Sequence, residues 1–432
     1  MKRMFLLLPA LAWLVLGCSQ RSGDVTGEQL PDWSLAPEEL IAADPTLAVN
    51  EMHPYICNAD ADTPAPSGYK PFYISHYGRH GSRTMHTDAT LVKAMGILQP
   101  ACEAGQLTEF GLRLYDSLLL VKRQTDGRVG QLTALGAAQQ RGIGMRMGKR
   151  FPEVFSDDAD ISCRSTTIPR CIMSMSHFLM GLREVHPNLP LTMDTADSYT
   201  AWMNAKDRER TGAINRMVDA VYTLPDSAFN ARVFRQLPAG GGKGLMNAVY
   251  RSLITGINLD RPVSCRDFFT DEEWMALWRC YNTREYMNCS NPEKFGGPRM
   301  RIFVPLIDTL VREADKAIAA GKPAADLRFG HDYPLMTVLS YFEPEGLITQ
   351  LPMGAVNKRF MTVRWISMAS NIQLVFYRKN GGDVLVKFLH NEGETLLQGL
   401  TPVTGPYYRW TDLKAALCAK TDRYRGGGEQ LP

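Results

Sequence analysis

The segment FYISHYGRHGSR, residues 72–83, sets the architecture of this 432-residue chain. Residues 72–77 form a short, nearly continuous run of apolar and β-prone side chains that stops at Gly78. A run of this kind is typical of a strand buried on both faces of a sheet. Arg79 and Arg83 then enclose one histidine, one glycine and one serine. Because ligands in open α/β sheets bind beyond the carboxyl ends of the strands, the segment predicts a strand that ends at a binding site.

Strand and helix patterns alternate along much of the remaining chain. Thr133 is the predicted N-cap of a helix over 133–151, and Gly321 follows a helix predicted over 302–320. This alternation predicts an α/β fold, a layered core with a mostly parallel central sheet flanked by helices. Strands are predicted over residues 70–77, 160–164, 191–194, 327–330, 372–378 and 384–389, and a further helix over 168–185.

The middle of the chain has a different character. From about residue 197 to 297 strand patterns disappear, and short helix-like pieces alternate with Pro, Gly and Asn. We therefore expect a core formed by residues 46–190 and 300–432, with a mainly helical cap inserted over 191–299. No internal repeat is evident in the sequence.

The N-terminus resembles a bacterial lipoprotein signal. Two basic residues precede an apolar run over residues 4–16, which is too short to span a bilayer in the usual way. The run ends in Val-Leu-Gly before Cys18, the position at which cleavage would leave a cysteine to carry lipid. We expect a signal peptide over 1–17, a lipid-anchored tether over 18–45, and an exported lipoprotein of the periplasm or outer membrane. The alternative is an ordinary secretory signal with an incidental cysteine.

Composition excludes several classes of partner and cofactor. The formal net charge is only +3, and no run of basic and aromatic residues suggests a nucleic-acid surface. Nine cysteines occur, eight of them after Cys18, and an exported chain can oxidise some of these to disulfides while others stay buried thiols. No CxxC pair and no His/Cys spacing indicates zinc, so no metal or other cofactor is expected.

The chemistry of residues 79–83 points to phosphate. Each arginine can donate two parallel hydrogen bonds to a phosphoryl group, and Arg79 and Arg83 could hold one from two sides. A neutral imidazole at His80 is a nucleophile that can form a phosphohistidine. The neighbouring guanidinium groups disfavour imidazolium, and they would stabilise the equatorial oxygens of the transition state. A surface turn with solvated charges is the alternative interpretation of this segment taken alone.

Three further segments narrow the choice. These are QLTALGAAQQ at 131–140, CRSTTIPRCIMSMSHFLMGL at 163–182 and LRFGHDYPLMTVL at 327–339. Together with RHGSR, and in this order, they resemble the histidine acid phosphatases, a group that includes phytases and multiple inositol-polyphosphate phosphatases. The resemblance covers most of residues 70–185 and 300–400 and is weak in the middle, where the family's helical cap would lie.

The resemblance implies a role for six residues. The histidine of the family's RHGxR pattern is the nucleophile, here His80, and its flanking arginines, here Arg79 and Arg83, bind phosphate. The third phosphate-binding arginine falls on Arg170, with Arg164 as its competitor. The family's later pair falls on His331, which would bind phosphate, and Asp332. The aspartate would protonate the leaving oxygen, in keeping with the need of a poor alkoxide leaving group for a general acid.

The sequence also departs from the family pattern. Met85 replaces a frequent proline, and Thr167 and Pro169 replace two acidic residues of the third motif. The inositol-polyphosphate phosphatases commonly have His-Ala-Glu where this chain has His331-Asp332. Other segments, among them YISHYGRHGSR and MASNIQLVFYR, are more similar to that bacterial branch than to the narrow acid phosphatases.

We therefore expect a metal-independent phosphomonoesterase with a phosphohistidine intermediate, acting on a small phosphorylated substrate, preferably an inositol polyphosphate such as phytate. A broad acid phosphatase acting on sugar phosphates is the first alternative. A phosphomutase is disfavoured by Arg83 and Asp332, and a lipid-anchored protein that binds phosphate ligands without turnover is a remote alternative. No oligomeric state is predicted.

Several other residues are assigned ordinary roles. Lys243 in GGGKG is expected in a loop, and the Lys358, Arg359 and Arg364 set on a solvated face, although either could contact extra phosphates. His390 in HNEGE is expected in a β-turn rather than in a metal site. His76 and His86 flank the proposed site and are expected to be core-packed or solvated.

Overall fold

A computed structural model describes residues 30–60 and 62–426 of the chain. The predicted signal peptide, the lipidation site at Cys18 and the first part of the tether lie outside the described residues. Within the described part of the chain, no helix is both long enough and apolar enough to cross a membrane.

One eight-stranded sheet forms the centre of the molecule. Its main path runs in the order β3-β2-β4-β1-β5-β6-β7, and β8 pairs with β6. The first four strands of this path are mutually parallel, and the others pair antiparallel. The strands are β1 (Lys70–Arg79), β2 (Asp160–Ser165), β3 (Leu191–Thr195), β4 (Ala324–Gly330), β5 (Asn371–Arg378), β6 (Leu385–His390), β7 (Gly393–Glu394) and β8 (Tyr407–Arg409).

Helices cover both faces of this sheet and form a separate helical part. In chain order they are α1 (Pro37–Ala43), α2 (Ala89–Glu103), α3 (Glu109–Thr125), α4 (Ala134–Arg150), α5 (Pro169–Val185), α6 (Asp197–Met203), α7 (Arg208–Val221), α8 (Asp226–Val233), α9 (Leu245–Leu253), α10 (Asp271–Cys289), α11 (Gly296–Ile302), α12 (Val304–Ala320), α13 (Asp332–Phe342), α14 (Val356–Arg359), α15 (Thr362–Ile366) and α16 (Trp410–Arg425).

Local chemistry explains where the predicted helices begin and end. The hydroxyl of Thr133 accepts a hydrogen bond from the Gly136 amide and so caps α4 as predicted. Gly321 closes α12 in the left-handed conformation, with φ of 65°, which glycine adopts at little cost. The α/β fold class predicted from the sequence is confirmed, because a central sheet with parallel inner strands is flanked by helices.

Three apolar clusters stabilise this arrangement. One face of the sheet packs on α4 and α5, and the other packs on α12, α13 and α16. A third cluster lies in the helical part and includes residues of α2, α3, α8, α9 and α10. The burial of apolar area in these clusters is the main favourable contribution to folding.

The helical part differs from a simple insertion over residues 191–299. The helices α2 and α3 precede it in the chain, yet they pack with α8 and α9 in the same apolar cluster. The strand β3, predicted as a strand but placed at the start of the cap, lies at the edge of the sheet beside β2. Its side chains are mostly exposed, so its sequence lacks the apolar signature of a central strand.

The cysteines form no disulfide in the described residues. All eight cysteines after Cys18 are free, and five of them are buried. The expectation of disulfides is therefore wrong for the described residues, whereas the expectation of buried thiols is confirmed. Burial raises the pKa of several of these thiols, for example that of Cys163 to about 12, which is the behaviour of core-packed rather than reactive cysteines.

Candidate active site

The two predicted histidines lie at the carboxyl ends of neighbouring parallel strands. β1 pairs with β4 so that Arg79 faces Gly330. The residue that directly follows each of these two strands is a histidine, His80 after β1 and His331 after β4. The His80 amide donates a hydrogen bond to the Gly330 carbonyl at 3.0 Å. As a result, the rings of His80 and His331 lie 5.7 Å apart at an angle of 77°. The register of one strand pair thus brings together motifs that are distant in sequence.

The environment of His80 fixes its tautomer and keeps it neutral. Its Nδ1 lies 2.9 Å from the Gly81 carbonyl oxygen. Since a carbonyl can only accept, Nδ1 carries the proton and the lone pair is on Nε2. Burial, followed by the charges of Arg170, Arg79 and Arg83, holds the pKa of His80 well below its usual value. The ring is therefore neutral at mildly acidic pH, which is the state in which an imidazole can act as a nucleophile.

The loop that follows β1 is held against α4 and α5. Gln140 donates from Nε2 to the Arg79 carbonyl at 2.9 Å, and Gln139 Oε1 accepts from the Ser82 amide at 2.9 Å. The hydroxyl of Ser174 on α5 accepts from the Gly81 amide at 3.1 Å. The two glutamines come from the QLTALGAAQQ segment, whose part in the motif set is thereby explained: it fixes the backbone that carries His80.

This loop approaches the first turn of α4 so closely that side chains would not fit. A Cβ atom at Gly136 would lie 2.1 Å from the Ser82 carbonyl oxygen. A Cβ atom at Gly81 would lie 2.4 Å from the Gly136 carbonyl oxygen. Both distances are far inside van der Waals contact, so glycine is required on both sides of the contact.

Arg79 is fully buried and has three partners. Its Nη1 donates to the carbonyl oxygens of Glu51, at 2.5 Å, and Ile366, at 2.6 Å. Its Nη2 forms an ion pair with Oδ2 of Asp332 at 2.7 Å. The two carbonyls fix the orientation of the guanidinium group, and the carboxylate occupies the edge that a phosphate oxygen would need.

Two further arginines surround the same space. Burial and the neighbouring charges of Arg170 and Arg79 lower the pKa of Arg83 to about 9, which reflects the crowding of like charges. Arg170 lies in the first turn of α5 and brings its Nη2 to 3.5 Å from His331 Nδ1. The buried Nε atoms of all three arginines have no hydrogen-bond partner among the described residues. Such a cluster favours a multiply charged anion.

His331 and Asp332 stand at the N-terminus of α13. Burial, followed by the charge of Arg170, lowers the pKa of His331 to about 3, so this ring is neutral as well. Burial acts to raise the pKa of Asp332, but the charges of Arg79 and Arg83, the nearby His331 and the Tyr333 amide together outweigh it and hold that carboxyl below its usual range. The Asp332 side chain is 18% exposed, so it borders the open part of the site. Asp332 is therefore an ionised carboxylate that is paired with Arg79 at the edge of the arginine cluster.

Two residues at this site were not identified from the sequence. The ring of Tyr333 stacks on that of His331, with centroids 6.0 Å apart and planes 12° apart. Lys206, from the connection between α6 and α7, contacts the Tyr333 hydroxyl and lies 4.1 Å from the ring centroid. Tyr333 directly follows the His-Asp pair, a signal that could have been used. Lys206 lies in a segment with no recognisable pattern.

Of the residues given ordinary roles, His86 borders the site and the others lie away from it. Arg164 pairs with Asp326 at 3.1 Å and does not share the cluster of arginines. His76 is buried between aromatic rings of the core, and His86 is exposed beside Arg83. Lys243 lies exposed before α9, and His390 ends β6. The three basic residues Lys358, Arg359 and Arg364 line a different pocket. Over the described residues, no group of three His, Cys, Asp or Glu could hold a metal ion.

Comparison with solved structures reveals the same fold in other proteins. A multiple inositol polyphosphate phosphatase of Bifidobacterium longum, in complex with inositol hexasulfate, matches with a TM-score of 0.69 at 19% identity, covering 87% of this chain and 98% of that one. The phytase from D. castellii matches with a TM-score of 0.64 at 13% identity, covering 89% and 88%. The Hafnia alvei phytase matches with a TM-score of 0.52 at 14% identity, covering 85% and 100%. Among curated proteins, none is significantly similar in sequence.

The family model for branch 2 of the histidine phosphatase superfamily matches residues 78–391. This range begins just before Arg79 and ends beyond the His331-Asp332 pair, so it contains all six residues that converge on the site. The chain belongs to the histidine phosphatase superfamily, branch 2, and is a phosphatase.

Proposed function

We propose that this protein is a phosphomonoesterase that works through a phosphohistidine at His80. The observation that carries the proposal is the neutral His80 ring, protonated at Nδ1, among the guanidinium groups of Arg79, Arg83 and Arg170. A phosphoryl group bound by the three arginines would lie beside the free lone pair of Nε2. Positioning and charge stabilisation of this kind are the main contributions to phosphoryl transfer.

In the first step Nε2 of His80 forms a bond to phosphorus while the bond from phosphorus to the leaving oxygen breaks. The electron pair of that bond goes to the oxygen, which takes a proton and leaves as an alcohol. The ion pair with Arg79 keeps Asp332 ionised in the free enzyme, so the proton must enter with the substrate. A phosphate monoester carries one such proton below its second pKa of about 6. When phosphate binds beside Asp332, two like charges share one proton, and the carboxyl can deliver it to the leaving oxygen.

In the second step Asp332 acts as a carboxylate. It takes a proton from a water molecule as the water oxygen forms a bond to phosphorus, and the bond between phosphorus and Nε2 breaks. The electron pair returns to the imidazole, and inorganic phosphate is released. The single carboxylate thus serves as acid and then as base, which matches its partial exposure next to the arginines.

Inositol polyphosphates such as phytate are the substrates we propose. Proteins named for inositol polyphosphate or for phytate share this fold, and one of them was solved with inositol hexasulfate. In this chain Lys206 adds a cation at the edge of the site, beyond those needed for the reacting phosphate. A broad acid phosphatase is the second candidate, because the His331-Asp332 pair departs from the His-Ala-Glu sequence common among inositol-polyphosphate phosphatases.

We also propose that the protein is an exported bacterial lipoprotein of the periplasm or outer membrane, anchored through Cys18. The support is the apolar run that ends directly before this cysteine. The change Cys18→Ser should move the protein from membrane fractions to the soluble fraction. Continued sedimentation of the Cys18→Ser protein with membranes would contradict the anchor.

Release of inorganic phosphate tests the enzymatic proposal. We would compare phytate with a small aryl phosphate at acidic to neutral pH, using protein that begins at Ser19 and the His80→Ala variant as the blank. Release from phytate that is lost in His80→Ala supports both the nucleophile and the substrate. Release from the aryl phosphate alone favours the broad acid phosphatase. Saturable binding of phosphate without release from either compound would indicate a binding protein instead.

A further inference from the structure

A second pocket lies next to the helix that supports Arg79. This helix, α15, places the Ile366 carbonyl on Arg79, and the same short helix contributes Arg364 and Trp365 to the lining of the pocket. The cavity has a volume of about 410 Å³, which is within the range of small-molecule sites. Its remaining walls come from the N-terminal segment that includes Trp33, from Gly346 and from residues 358–361.

The charge of the pocket has one sign. Lys358, Arg359 and Arg364 line it, and no carboxylate does. No described residue forms an ion pair or a hydrogen bond with any of these three side chains. The two carboxylates on the neighbouring helix α1 are occupied elsewhere, because Glu38 pairs with Arg279 and Glu39 accepts from the Ala36 amide. Three cations therefore share one cavity without compensation by the protein.

Arg364 is held in place by aromatic rings rather than by an acid. Its guanidinium carbon lies 4.8 Å from the ring centroid of Trp365 and 5.7 Å from that of Trp33. Such cation–π contacts orient the planar group while leaving its N–H donors free. Partial burial lowers the pKa of Arg364 without any compensating anion. A bound anion would remove this unfavourable desolvation of an unpaired charge.

We propose that this pocket is a second, non-catalytic site for a small molecule that carries two or more phosphate groups. The guanidinium fork of Arg364 would bind one phosphate from within the cavity. Lys358 and Arg359, at the exposed rim, would bind another, and the two tryptophan rings would contact the carbon skeleton. No reaction is assigned to the site, because Nε2 of the nearby His390 is already hydrogen-bonded to the Trp365 carbonyl oxygen at 3.0 Å. The site goes beyond the proposed catalysis at His80.

Calorimetric titration with inositol hexasulfate tests the proposal, because this sulfate ester carries several anionic groups and cannot transfer phosphate. Full-length mature protein should show two saturable binding events. The change Arg364→Met should weaken one of them about tenfold or more, which is the effect expected for losing a charge-assisted hydrogen bond. It should leave phosphate release from a small aryl phosphate unchanged. The matched control Arg123→Met removes an exposed arginine of α3 and should alter neither event.

A second variant and a second measurement control for the case in which Arg364→Met loses binding because it misfolds. Lys358→Met combined with Arg359→Met changes only exposed residues and should weaken the same binding event. Tryptophan emission should change on binding, and Trp33→Phe should reduce that change. A single binding event, or two events that are insensitive to both Arg364→Met and the double variant, would overturn the proposal. Equal weakening by Arg123→Met would also overturn it, since binding would then follow net charge alone. Failure of catalysis would show separately, as absence of phosphate release.

Discussion

The Nη2 atom of Arg79 and the Oδ2 atom of Asp332 form an ion pair at 2.7 Å across the base of the active site. In the mechanism that we propose, Arg79 binds phosphate and Asp332 transfers the proton, so two groups with different tasks are partners in the free protein. On this proposal, phosphate replaces the Asp332 carboxylate on Arg79 when it binds. The binding step and the release of Asp332 for proton transfer are thereby linked.

The change Asp332→Asn separates these two tasks. It removes proton transfer, so turnover of an alkyl phosphate should fall by about 10²–10⁴-fold. An activated aryl phosphate, whose leaving group needs no proton, should lose much less. Inorganic phosphate should inhibit Asp332→Asn at lower concentration than the wild type, because no carboxylate competes for Arg79. The measurements are kcat for both esters and the inhibition constant of phosphate.

Equal losses on the two esters would contradict the proton-transfer role of Asp332. Weaker inhibition by phosphate would contradict the competition between the carboxylate and the anion. Glu343→Gln on the same α13 helix is the matched control, because Glu343 is the C-cap residue of that helix and pairs with Lys420. It should leave both kinetic quantities unchanged.

The pH dependence of the reaction follows from the same pair. The charge of Arg79 lowers the pKa of Asp332, so this carboxyl is ionised throughout the acidic to neutral range in the free enzyme. Above the second pKa of the substrate, about 6, neither partner carries the required proton. The value of kcat/KM for an alkyl phosphate should then fall about tenfold for each pH unit, whereas that for an aryl phosphate should fall less. An alkyl phosphate profile that stays level up to pH 8 would argue against delivery of the proton by the substrate.

The two arginines of the CRSTTIPR segment should behave differently. Arg170 reaches His331 and contributes to the buried cluster, whereas Arg164 pairs with Asp326 outside it. Arg170→Gln should weaken phosphate binding about tenfold or more through loss of charge-assisted hydrogen bonds. Arg164→Gln should leave the inhibition constant of phosphate close to the wild-type value. The opposite ranking of the two variants would assign the third phosphate-binding arginine to Arg164.

The close contact between α4 and the loop that follows β1 predicts that a larger residue at Gly136 lowers both stability and activity. In Gly136→Ala the new methyl group would meet the Ser82 carbonyl oxygen at 2.1 Å, and overpacking of this kind costs about 1–3 kcal/mol. Displacement of the loop would also move His80 and lower kcat. Gly96→Ala is the control, because nothing lies within 4 Å of that position and alanine favours a helix. In Gly136→Ala, the free energy of unfolding measured with denaturant and the value of kcat should both fall. Unchanged values would show that the loop tolerates the methyl group.

Much of the core could be predicted because its signals are local. The run before Gly78 predicted β1, the hydroxyl of Thr133 predicted the start of α4, and Gly321 predicted the end of α12. The six residues that meet at the candidate site were predicted from short motifs of arginine, histidine and aspartate and from the family resemblance that these motifs carry. The register of β1 against β4 explains why motifs so far apart in sequence meet in space.

The rest depends on tertiary packing that leaves no local pattern. The helical part joins α2 and α3 to α8 and α9 across more than a hundred residues of chain, and only apolar contact specifies this. Lys206 reaches the active site from an irregular connection, and its position follows from its contact with Tyr333. The state of the cysteines depends on which of them are adjacent in space, and spacing in the sequence does not give this.

The covalent intermediate is the central claim, and trapping it is the most direct test. Wild-type protein would be mixed with a substrate labelled with radioactive phosphorus, denatured within milliseconds in alkali, and analysed for label bound to the peptide that contains His80. We predict label on this peptide in wild type, more of it in Asp332→Asn with an aryl phosphate because hydrolysis of the intermediate is slowed, and none in His80→Ala. Turnover without label on His80, or label that persists in His80→Ala, would contradict the account.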